Sequence, residues 1–177
     1  MFTYIVSGTK RTGTSMVMEC VEKGGLEIVW DKSRDEAIRL EQPRNPNAHF
    51  YELEPPRQMW LPMTGFDDVC IKSMGSACLG RGGGPFKVVY MTRDRHEQRQ
   101  SVKFACGEVT DEEKQKSLDE TFLGRFRESD QVDSLTVLDY GEVIKNPLKS
   151  FCALRNDGWP IDPVKASEGV DPKLKHY

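Results

Sequence analysis

Phe2-Thr3-Tyr4-Ile5-Val6-Ser7-Gly8-Thr9-Lys10-Arg11-Thr12-Gly13-Thr14-Ser15 is the stretch from which the rest of the chain is read. Phe2 to Val6 is an apolar, β-rich run that suits a buried strand, and Ser7-Gly8 ends it in a tight turn. From Thr14 to Lys23 the apolar residues Met16, Val17, Cys20 and Val21 recur at helical spacing, and Gly24-Gly25 supplies a stop. Strand, glycine-bearing loop and helix are therefore contiguous. Glycines let backbone N–H groups turn inward on an anion, and the helix that follows adds its positive end. Thr14 and Ser15 add hydroxyl donors, and Lys10 and Arg11 add charge. Both glycines of the P-loop pattern Gly-x-x-x-x-Gly-Lys-Ser/Thr are present, but Thr14 stands where nucleotide-hydrolysing families need lysine. The stretch predicts a phosphate-cradling loop in which anion binding is better supported than ATP or GTP hydrolysis.

Outward from this loop, strand-like and helix-like segments alternate. Leu26 to Trp30 reads as a second strand and Ser33 to Glu41 as a helix, with Ser33 as its cap and Glu36 completing a capping box. A proline-rich run, Gln42 to Pro62, follows and is irregular apart from His49 to Leu53. Val69 to Ile71 and Lys87 to Met91 read as the third and fourth strands, separated by the glycine-rich loop Gly75 to Pro85. Arg95 to Ala105 and Asp111 to Arg127 read as helices, the second amphipathic through Leu118, Phe122, Leu123 and Phe126. Ser134 to Leu138 is a fifth strand, and Pro147 opens a last helix stopped by Asp157-Gly158. The pattern predicts one domain over residues 1–177: an α/β three-layer sandwich on a mainly parallel central sheet of about five strands, with the P-loop after the first.

Composition narrows the function. A length of 177 residues suffices for one core without disulfides or metals, and a net charge of −3 supplies no global basic field for nucleic acid or anionic membrane. No apolar stretch reaches membrane-spanning length and no small-residue cleavage site follows the N-terminus, so the expected location is cytoplasmic. Cys20, Cys70, Cys78, Cys106 and Cys152 are scattered and lack CxxC spacing, which predicts reduced thiols. With three histidines, His49, His96 and His176, no metal site is expected.

A second motif follows the fourth strand. Thr92-Arg93-Asp94 stands at the strand end, and Ser101 lies eight residues beyond Arg93 on the next helix. With Arg11-Thr12-Gly13-Thr14-Ser15, these residues resemble the sulfotransferase family within the P-loop superfamily, in the manner of a small bacterial or phage-like member. The family uses 3′-phosphoadenosine 5′-phosphosulfate (PAPS). The resemblance implies that Lys10, Arg11, Thr12, Gly13, Thr14 and Ser15 hold the 5′-phosphosulfate, and that Arg93 and Ser101 hold the 3′-phosphate. Looser similarities cover Asn45 to Glu52, Val137 to Pro147 and Val170 to Tyr177.

The implied reaction is transfer of a sulfuryl group to a hydroxyl or amine acceptor, small or macromolecular, without a metal. Lys10 and Arg11 would neutralise the leaving phosphate. Cytosolic members place a catalytic histidine after a Lys-Thr pair, where this chain has Lys72-Ser73-Met74, and the family's C-terminal Arg-Lys-Gly clamp is not visible. Glu52 is the first candidate for the base, His49 the second and Asp31 the third. Trp30, Met59, Trp60, Met63 and Phe66 are candidates for an apolar acceptor pocket or for core. Arg95, Arg99 and Lys103 read as solvated helix charges. The competing readings are a P-loop kinase of nucleotides or small molecules, with Asp94 serving magnesium, and a non-catalytic nucleotide-binding module.

Overall fold

A computed structural model describes residues 1–41, 50–53 and 62–171. It is a mixed α/β fold, with four strands and seven helices among the described residues. β1 (Thr3–Gly8) leads through the loop at 9–13 to α1 (Thr14–Lys23), and α2 (Lys32–Glu41) follows. Next come β2 (Cys70–Met74), β3 (Phe86–Thr92), α3 (Arg95–Cys106), α4 (Glu112–Glu128) and β4 (Val132–Asp139). The last described elements are α5 (Tyr140–Lys145), α6 (Pro147–Asn156) and α7 (Pro163–Ser167). The sheet order is β2-β1-β3-β4 and every pairing is parallel, with Ile5 opposite Ile71 on one side and Val88 on the other.

β1 is buried along its whole length, as expected of a central parallel strand. Its side chains alternate between two apolar clusters. Tyr4 and Val6, with Val89 and Met91 of β3, pack with Val17, Met18 and Val21 of α1, Phe151 and Leu154 of α6, and Trp159. Ile5, with Val88 and Tyr90, packs with Phe126 of α4, Met63 and Phe66. Both faces of the sheet are thereby covered. The strand ends that carry the 9–13 loop and the 92–94 turn lie side by side, because β1 and β3 are neighbours in register.

Of the five expected strands four are formed, the fifth, Ser134 to Leu138, as β4, and the one not formed is the second, Leu26 to Trp30. Leu26 to Trp30 makes a single bridge, Ile28 to Cys70, supported by Cys70 N–H to Glu27 O at 2.7 Å and Val29 N–H to Cys70 O at 2.9 Å. The segment then leaves the sheet edge, because Asp31 is drawn into the start of α2. Its carboxylate accepts from Ser33 N–H at 2.9 Å, Ser33 Oγ at 2.6 Å and Arg34 N–H at 3.2 Å. Asp31 thus takes the capping role expected of Ser33, and these bonds, the Ser33 hydroxyl foremost, hold its carboxyl below the ordinary value. Asp35, fully buried on α2, accepts from Phe50 N–H at 2.6 Å and Tyr51 N–H at 2.9 Å and so fixes the segment that carries Glu52.

Candidate functional site

The 7–15 loop is shaped by backbone demands that its sequence meets. Gly13 precedes α1 with φ 95°, a left-handed conformation that costs other L-residues roughly 1–2 kcal/mol. A Cβ there would also strike the ring of Tyr140, 3.0 Å from Cε2, so position 13 excludes side chains on two grounds. Arg11 also sits at φ 68°, without being glycine. Side chains hold the loop to its neighbours. Ser7 Oγ donates to Gly75 O at 2.6 Å, and Thr12 Oγ1 donates to Thr9 O at 2.8 Å.

Two of the sequence-predicted groups converge on Arg11. Arg11 Nε donates to Ser101 Oγ at 3.1 Å, and Arg93 Nη1 donates to Arg11 O at 3.4 Å. Arg93 lies over the ring of Tyr140, 4.2 Å from its centroid, and pairs with Glu97 at 3.4 Å. Burial, with the nearby Arg93 charge acting in the same direction, lowers the Arg11 guanidinium from its ordinary value. Two guanidiniums and a hydroxyl thus share one partly buried place at the ends of β1 and β3, a pattern that an anion would relieve.

The other predicted residues fall elsewhere. Lys10 pairs with Glu108 at 2.8 Å on the outer side of the loop. Burial alone would lower Lys10, but the hydrogen bonds to Glu108 and Cys106 leave it raised. Thr12 and Thr14 are buried within the loop and at the first residue of α1. Ser15 Oγ donates to Phe50 O at 3.4 Å. His49 lies outside the described residues, as do Met59 and Trp60. Met63 and Phe66 are 2% and 4% exposed inside the second apolar cluster, so they are core and not pocket wall. Trp30 packs against Tyr51 in a tilted arrangement, with ring centroids 5.2 Å apart. Asp94 caps α3 through Glu97 N–H at 3.0 Å. Among the described residues no cluster of His, Cys, Asp and Glu is arranged to hold a metal, and no helix is long and apolar enough to cross a membrane.

Glu52 is held by a residue to which sequence reasoning gave no role. Lys72, on β2 opposite Val6, is 5% exposed and reaches Glu52 Oε1 at 2.7 Å, Phe50 O at 2.6 Å and Ser15 Oγ at 3.2 Å. A buried ammonium therefore stands at the start of α1, beside a loop that lacks the P-loop lysine. The signal was available: a lone charge inside the apolar run Val69-Cys70-Ile71-Lys72 is rarely tolerated unless it is paired. A second correction concerns Arg95, expected to be solvated. It ion-pairs with Asp119, which is 2% exposed on the inner face of α4.

Compared with models of known protein families and with curated protein sequences, the chain matches none.

Proposed function

We propose that the protein binds PAPS and its product adenosine 3′,5′-bisphosphate (PAP) at this three-layer, P-loop-like site, and that it transfers the sulfuryl group to a hydroxyl or amine acceptor. The observation that carries the reading is the convergence of Arg11, Arg93 and Ser101 at 3.1 and 3.4 Å across the ends of two adjacent strands. In this reading Arg93 and Ser101 hold the 3′-phosphate, while the loop Lys10 to Ser15 holds the 5′ end. Transfer is in-line: an acceptor oxygen or nitrogen attacks sulfur as the bond from sulfur to the bridging phosphate oxygen breaks. The electron pair leaves with PAP, and the acceptor's proton goes to a base, for which Glu52 is the candidate. Lys72 adds a cation near the start of α1.

One observation favours a second reading, a non-catalytic nucleotide-binding module. The Glu52 carboxylate is already engaged by the Lys72 ammonium at 2.7 Å, and that contact competes with an acceptor for the same oxygen. The kinase reading is supported less, because Asp94 spends its carboxylate on capping α3.

Titrating PAP, ATP and GTP into the protein, with and without magnesium, separates these readings. Tight PAP binding that is independent of magnesium supports the nucleotide assignment, and magnesium-dependent preference for ATP or GTP overturns it in favour of the kinase. Sulfation of an acceptor from labelled PAPS then divides the transferase from the binding module.

A further inference from the structure

The anion loop is anchored to the body of the protein through a polar chain that no part of the proposed chemistry uses. Gln98, on α3, is 1% exposed. Its amide nitrogen donates to Thr9 Oγ1 at 3.0 Å and to Lys10 O at 2.7 Å, and its amide oxygen accepts from Arg95 Nη1 at 3.1 Å. Behind it, the Arg95 guanidinium pairs with Asp119, and Asp119 Oδ1 accepts from the hydroxyl of the fully buried Tyr90 at 2.5 Å. Both donors and one acceptor site of Gln98 are used. The chain of contacts runs from β3 and α4, through α3, to the backbone at 9–10.

The consequence follows from peptide geometry. In a trans peptide the C=O of one residue and the N–H of the next point in opposite directions. With Lys10 O held on α3 by Gln98, the Arg11 N–H points away from α3. With Arg11 O held by Arg93, the Thr12 N–H points away from Arg93. Arg11 at φ 68° and Gly13 at φ 95° are left-handed positions, the kind of backbone from which anion-cradling loops are built. Arg11 occupies that region without glycine's freedom, so something must hold it there.

We propose that Gln98, backed by Arg95 and Asp119, is a positioning residue that presets the Lys10–Thr12 backbone with its N–H groups turned toward the anion. It touches no ligand and acts through the Lys10 carbonyl. The proposal rests on the nucleotide reading for the identity of the anion, but the preset backbone is a property of the unliganded protein.

The test replaces Gln98 with methionine, close in shape and without donors, and reads two quantities in the full chain. Backbone order parameters at Arg11, Thr12 and Gly13 in the ligand-free protein, measured by NMR relaxation, should fall from about 0.85 to below about 0.6, with the core strands β1 and β3 unchanged. PAP affinity, measured by calorimetry, should fall at least fivefold. A structural role alone would loosen the backbone throughout or leave the loop as ordered as in the wild type, and either result overturns the proposal. If Q98M does not fold, Gln98→Glu at neutral pH, which accepts but does not donate, takes its place with the same expectations. Failure of both variants to fold makes Gln98 a core requirement and overturns the positioning role. If the wild type does not bind PAP, the nucleotide reading fails by itself, and the order parameters still decide whether Gln98 holds the loop.

Discussion

The pairing of Lys72 with Glu52 can be measured by a double-mutant cycle. Removing one partner of a fully buried ion pair costs roughly 3–5 kcal/mol. Here Lys72 is 5% exposed and Glu52 16%, and Glu52→Gln leaves the ammonium two acceptors, Phe50 O at 2.6 Å and Ser15 Oγ at 3.2 Å. The expected loss for Glu52→Gln is therefore smaller, about 2–3 kcal/mol. Lys72→Met leaves the more exposed carboxylate to recover part of its hydration, so its expected cost is about 1–2 kcal/mol. The double variant strands neither charge and should lose only about 2 kcal/mol, less than the two single losses together by roughly 1 kcal/mol or more. Urea unfolding of the four proteins at pH 7, compared through their midpoints at a common slope, gives each value. Losses that add within about 0.5 kcal/mol would show that the two groups do not interact and would refute the pairing.

Three further outcomes are expected. Gly13→Ala, which forces a side chain into φ 95° and against Tyr140, should cost at least about 2 kcal/mol and abolish PAP binding, as seen by thermal melting and calorimetry. If Glu52 is the base, Glu52→Gln should reduce sulfuryl transfer by roughly 10²–10⁴-fold while PAP affinity stays level; transfer at the wild-type rate would remove Glu52 from the chemistry. Burial pushes the Cys20 thiol up to about 12 and the Cys78 thiol up to about 11 from an ordinary 9.0, so both stay protonated in the fold where the unfolded chain ionises. Stability should therefore decline as pH rises above 9, and a thiol reagent at pH 8 should label Cys106 and Cys152 well before Cys20, Cys70 and Cys78.

What was legible in the sequence was what local pattern determines. The apolar run at 2–6, the glycines at 8 and 13 and the helical period from Thr14 place β1, the loop and α1 as observed, whereas the contacts of Arg93 and Ser101 with Arg11 were not read from the sequence. Leu26 to Trp30 had the composition of a strand but not the partner length, since the chain is pulled off the sheet edge where Asp31 starts α2. Ser33 was read as the cap, but Asp31, an equally good capping residue two positions earlier, takes the role, and local pattern alone does not choose between the two. Lys72 and Asp119 were missed because each is a charge beside apolar residues whose partner is distant in sequence, and Gln98 because it stands in the polar run Arg95 to Gln100, where nothing local marks it as buried. Asp119 shares the stripe of Phe122, Leu123 and Phe126 at helical spacing, and a charge in such a stripe is the sign of a buried partner, here Arg95.

The comparison of PAP with AMP bears most directly on the proposed function, because the two ligands differ only in the 3′-phosphate that Arg93 and Ser101 are proposed to grip. Calorimetric titration of both into the wild type should give PAP at least a tenfold advantage, about 1.4 kcal/mol, and Arg93→Ala should remove most of it. Equal affinity for PAP and AMP in the wild type would contradict the assignment.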